Sequence, residues 1–97
     1  MISVKLAKKL KTAGFRDVVL YEETKTVIAP TLSELIEACP KVIDGHSFHL
    51  TWTSVLGKGD KWVAYYDDGG ASIGIEGYGD VSDEAVANLW LELNRKV

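Results

Sequence analysis

Ser47-Phe48-His49-Leu50-Thr51-Trp52-Thr53 alternates strictly between polar and apolar side chains. Phe48, Leu50 and Trp52 fall on one side and His49, Thr51 and Thr53 on the other, the period-two pattern of a half-buried strand. A Gly57-Lys58-Gly59-Asp60 turn follows. Lys61 to Asp67 then alternates again, with Trp62, Ala64 and Tyr66 against Val63, Tyr65 and Asp67. After Asp68-Gly69-Gly70, Ala71 to Gly77 sets Ile73 and Ile75 opposite Ser72, Gly74 and Glu76. Three strands joined by short turns make an antiparallel meander. The Phe48/Leu50/Trp52, Trp62/Ala64/Tyr66 and Ile73/Ile75 face is expected under helices. The face carrying His49, Thr51, Thr53, Tyr65, Asp67, Ser72 and Glu76 is expected to stay open, as an antiparallel sheet allows.

Downstream, Gly77-Tyr78-Gly79-Asp80 leads into an amphipathic helix running to Val97. Ser82 is expected to cap it, with Asp83 and Glu84 where the helix dipole favours negative charge and Arg95 and Lys96 in the last turn. Ala85, Val86, Leu89, Trp90, Leu93 and Val97 form the core-facing stripe. Leu91, with Ala87, makes a small second apolar spot, a hint of a contact surface.

Upstream, Thr31 and Glu34 make a capping box for a short helix ending at Pro40, with Leu32, Leu35, Ile36 and Cys39 on one face. Ile2 to Ala13 reads as the first helix: Ile2, Leu6, Leu10 and Ala13 share a side, Gly14 ends it, and Phe15 folds back. Val18-Val19-Leu20-Tyr21 and Thr26-Val27-Ile28-Ala29 are β-prone runs that suit a hairpin through Glu22-Glu23-Thr24-Lys25. Lys41 to His46 reads as a connector with an Asp44-Gly45 turn. Residues 1–97 are thus expected to form one α+β domain in the order α-β-β-α-β-β-β-α, an antiparallel sheet covered on one face by helices.

The composition, 46% hydrophobic and 26% charged, is that of an ordinary globular chain. Lys5, Lys8, Lys9, Lys11 and Arg16 lie in the first sixteen residues, and all fourteen acids lie after them. A basic first helix on a chain of net charge −3 does not by itself make a nucleic-acid binder; a solvated lysine face is the plainer account. Met1-Ile2-Ser3-Val4-Lys5 does not read as a signal peptide, and no apolar run reaches membrane-spanning length. The single cysteine excludes an intrachain disulfide and suits a reducing cytosol, so a cytoplasmic location is expected.

No catalytic, cofactor or metal site is expected. Cys39 with His46 or His49 could be drawn as a nucleophile and base, but Cys39 sits on the apolar stripe of its helix. Asp67, Asp68, Glu76 and Asp80 fall near the end of the sheet without the spacing of a calcium loop. Gly74-Ile75-Glu76-Gly77-Tyr78-Gly79 lacks a phosphate-loop lysine. Trp52, Trp62 and Trp90 are expected in the core.

Thr31-Leu32-Ser33-Glu34-Leu35-Ile36-Glu37-Ala38-Cys39-Pro40, then Trp62-Val63-Ala64, then Asp83-Glu84-Ala85-Val86-Ala87-Asn88-Leu89-Trp90-Leu91-Glu92-Leu93-Asn94, resembles a group of small phage- and prophage-encoded proteins. The resemblance implies a bacterial or phage cytosolic origin and brings no known activity with it. Trp62-Val63-Ala64, Ile75-Glu76-Gly77 and Ser82-Asp83-Glu84-Ala85-Val86 are also similar to the β-β-β-α half of HicB-like antitoxins, whose sheet topology is that of double-stranded RNA-binding domains. The Pro-Gly strand turn of that family is missing. Where an RNA-binding domain has lysines at the start of its last helix, this chain has Ser82, Asp83 and Glu84, and acids there repel phosphate. This second resemblance implies architecture alone.

The expected function is therefore that of a non-enzymatic protein-binding or self-associating module. Its partner would be a host or phage protein or a second copy, and its contact face His49, Thr51, Thr53, Tyr65, Ser72 and Glu76. The alternative is a nucleic-acid-binding module using Lys5, Lys8, Lys9 and Lys11.

Overall fold

The computed structural model describes residues 2–15, 18–21, 26–70 and 72–94, the side chains of residues 19–21, 26, 27, 72 and 73 excepted. Arg16, the 22–25 turn, Ala71, the Ser72 and Ile73 side chains, Arg95, Lys96 and Val97 therefore lie outside the described residues. In chain order the elements are α1 (Val4–Thr12), β1 (Val19–Tyr21), β2 (Thr26–Ile28), α2 (Leu32–Ala38), β3 (Val42–Ile43), β4 (His46–Val55), β5 (Gly59–Asp67), β6 (Ser72–Gly79) and α3 (Ser82–Leu93). The α+β class and antiparallel pairing are as the alternation dictates. β1 and β2 form their own hairpin, and β3-β4-β5-β6 is one four-stranded sheet.

The fourth strand of that sheet, β3, is one more than the sequence reading allowed. Asp44 and Gly45 both take positive φ, 49° and 80°, which makes their link a tight two-residue hairpin rather than a connector. Val42 then pairs with Ser47 and Ile43 with His46. One further bond extends the pairing, from the Phe48 N–H to the Lys41 carbonyl at 3.0 Å.

Helix α3 is the centre of the molecule. It packs on β4, β5 and β6 on one side and against α1 and α2 on the other. Ala85, Val86, Ala87, Leu89 and Trp90 are all buried, a wider arc than one stripe. Ala87 is core, so it does not join Leu91 in an exposed spot. The cap also differs: Val81 is the N-cap, with no side-chain bond, and Ser82 is the first helical residue.

In α1, Ser3 caps the start, accepting from the Leu6 N–H at 3.1 Å. Gly14, at φ 98°, ends it: its N–H reaches the Lys11 carbonyl and that of Phe15 reaches Leu10, a Schellman pair. Phe15 is thereby folded onto Trp90, ring centroids 4.9 Å apart in an edge-to-face contact. Ala7 is buried on this helix, whereas Ala13 is exposed. The capping box of α2 is formed, Thr31 N–H to Glu34 Oε1 at 2.9 Å and Glu34 N–H to Thr31 Oγ1 at 3.2 Å.

The sheet presents its expected face to the helices. Ala64 and Tyr66 are fully buried, and Phe48, Leu50, Trp62 and Ile75 pack around them. Trp52 departs from the expectation. It shares that face but is 51% exposed: it stands in the last row that β6 reaches, opposite Trp62, whose partner on β6 is Gly79, and beyond that row β4 and β5 run on alone. Residues 53–61 thus project as a two-stranded arm with Leu56 fully exposed at its tip.

Candidate contact face of the sheet

Among the described residues no helix packs on the other side of the sheet. Cross-strand neighbours set its layout: Thr51 opposite Val63, His49 opposite Tyr65, and Thr53 opposite Lys61 on β4 and β5; Val63 opposite Tyr78 and Tyr65 opposite Glu76 on β5 and β6. His49 and Tyr65 stack, with centroids 5.3 Å apart and planes 16° from parallel. Val63, between Thr51 and Tyr78, is buried although it lies outside the helix-covered core. The Tyr78 hydroxyl donates to Glu76 Oε2, and the Lys58 ammonium sits 5.3 Å from the Tyr78 ring centroid. The bond to Glu76, with some burial, raises the Tyr78 hydroxyl above its ordinary pKa.

His49, Thr51, Thr53, Tyr65 and Glu76 are therefore brought to one face. Val63 and Tyr78 are additions. The sequence signal for Tyr78 was the continuing alternation Glu76-Gly77-Tyr78-Gly79. β6 runs two residues beyond its expected end at Gly77, because Gly77 and Gly79 let it pass close under α3. Glycines there read as the end of a strand.

The four acids are not gathered at one end of the sheet. Asp67 and Asp68 accept from the N–H groups of Gly69 and Gly70 in the β5–β6 turn, at 2.6 and 2.9 Å. Asp80 pairs with Lys61 beyond the other end of β6, a strand length of roughly 25 Å away. Asp68 also faces His46 Nε2 at 3.6 Å, with His46 Nδ1 2.9 Å from the Asp44 carbonyl. Among the described residues no three His, Cys, Asp or Glu side chains converge to hold a metal ion.

Cys39 is buried, and burial pushes its thiol up to about 11, so at neutral pH it is protonated. Beside it, Tyr66 donates its hydroxyl to the Pro40 carbonyl at 2.6 Å. Burial first, and the nearby Cys39 second, push Tyr66 up to about 12.

Lys5, Lys8, Lys9 and Lys11 are all exposed on α1. Lys8 and Lys9 rim a shallow groove of about 590 Å³ between α1 and α3, shared with Thr12, Ala13, Leu91 and Glu92. Among the described residues no helix is long and apolar enough to cross a membrane. No protein-family model, curated protein or solved structure matches the chain.

Proposed function

We propose that this chain is a small protein-binding module whose contact surface is the helix-free face of its sheet. The observation that carries the reading is the His49–Tyr65 stack, held on the paired strands β4 and β5 beside a buried Val63. Aromatic rings among threonines, on a scaffold that loses little freedom on contact, suit a semi-polar protein interface. The partner is a host or phage protein or a second copy. The resemblance of the two helical motifs to phage and prophage proteins supports a bacterial or phage setting and a cytoplasmic location. The protonated thiol of Cys39 supports a non-enzymatic role.

Sedimentation of the wild type and Tyr65→Glu, with binding profiles from bacterial lysate for both and for Thr51→Lys, tests the reading. Complexes with lysate proteins that are lost in both variants while the fold is kept are expected. Identical lysate complexes in all three proteins would move the contact surface elsewhere.

A further inference from the structure

The two edges of the sheet differ. On β6 the backbone groups of Tyr78 point away from β5, and its carbonyl is taken by Asn88 Nδ2 of α3 at 2.7 Å. Gly74, at φ 83°, breaks the regular course of the same strand. That edge is guarded by a helix side chain and an irregularity, two usual defences against edge pairing.

The β4 edge has neither. Because the Phe48 N–H turns outward to Lys41, alternation turns the N–H and C=O groups of Leu50, Trp52 and Ser54 outward as well. β3 ends its pairing at Lys41, and among the described residues no hydrogen bond reaches these groups. From Ser47 to Leu56 there is no charged residue, proline or glycine. Trp52 stands 51% exposed in the middle of this stretch.

We infer that β4 pairs antiparallel with β4 of a second copy about a two-fold axis at Trp52, joining the two sheets into one. Three features commit the edge to its own copy. The free length is bounded by β3, which occupies the lane opposite Phe48, and by the turn that begins at Val55. Residues 49–55 remain, and their midpoint is Trp52, so a symmetric register fits with no overhang. In that register Leu50 meets Ser54 of the second copy and Trp52 meets Trp52. All of these residues present outward groups, giving about six backbone hydrogen bonds. The two Trp52 rings come together where Cα atoms lie about 5.5 Å apart, with no like charges to oppose them.

This inference does not rest on the open-face reading, which concerns the perpendicular surface. Sedimentation of the full chain up to about 1 mM, a weak limit for association, would be paired with residue-resolved amide exchange at low and high concentration. The expected result is a dimer in which the Leu50, Trp52 and Ser54 amides slow with concentration. Trp52→Lys and Ser54→Pro should lose both effects, and Tyr65→Glu should keep them. Ser54→Pro removes an outward donor and no β4–β5 bond, and circular dichroism confirms that each variant is folded. A monomer throughout, or a dimer whose three amides exchange as in the monomer, overturns the inference even if the variants cannot be made. A dimer abolished by Tyr65→Glu alone assigns association to the open face and also overturns it.

Discussion

Gly77 lies against the backbone of α3 so closely that a Cβ on it would stand 2.2 Å from the backbone nitrogen of Leu89. The same atom would be 2.2 Å from the Ala85 carbonyl oxygen. Neither is a side chain that can turn aside. β6 and the central helix are therefore in backbone contact, and the sheet can lie flush on α3 only because this position has no side chain. Gly77→Ala should force strand and helix apart and cost about 3 kcal/mol or more, the upper range for overpacking. Urea melts would show it as a large loss of midpoint. An unchanged midpoint would mean that the helix does not sit where it is described.

Trp90 is buried between α3 and the Phe15 ring. Trp90→Ala should cost about 3–5 kcal/mol, a large part of a small domain's stability. Phe15→Leu keeps most of the volume and should cost less in the same melts. A Phe15→Leu midpoint unchanged within error would deny the edge-to-face contact any special weight.

Cys39 and Tyr66 make a prediction about alkaline pH. Their folded values, about 11 and about 12, lie above the ordinary 9.0 and 10.0. The unfolded chain releases these protons first, so the stability they lend is complete below pH 9 and falls as pH rises through the folded values. Denaturant midpoints should decline from pH 9 toward pH 11, and less steeply in Cys39→Ala. A thiol reagent at pH 8 should label Cys39 slowly in the native protein and rapidly in denaturant. Immediate native labelling would contradict the burial and reopen a nucleophilic role.

The α1 lysines should not bind nucleic acid near physiological salt. At low salt any weak complex should dissociate steeply as salt is added, with Lys8 and Lys9 contributing to the slope. A submicromolar complex at physiological salt, weakened by Lys8→Ala and Lys9→Ala together, would replace the protein-binding reading.

Most of the fold was legible because alternation and capping are local. The faces of β4 and β5, the Thr31–Glu34 box and the Gly14 stop follow from residues within a few positions of one another. What was missed depends on tertiary reach. Trp52 has the alternation of a core residue, yet nothing in its neighbourhood says that it stands in the last row of the sheet that β6 reaches. Ala87 looked peripheral because one stripe was assumed, whereas α3 is enclosed by helices as well as sheet. Strand β3 has two residues, too few to show a period, and only the conformation of its Asp44-Gly45 turn reveals it. On the contact face, His49, Thr51, Thr53, Tyr65 and Glu76 could be read from alternation. The alternation continues to Tyr78 as well, but its flanking glycines imitate a loop and hide it.

The contact face itself is tested most directly by a photo-crosslinking amino acid placed singly at position 65, at 49, and, as a control, at the exposed Glu37 of α2, in protein expressed in a bacterial host. The account predicts the same discrete adduct from positions 65 and 49 and none from position 37. No adduct from 65 and 49, or equal labelling from all three positions, would contradict it.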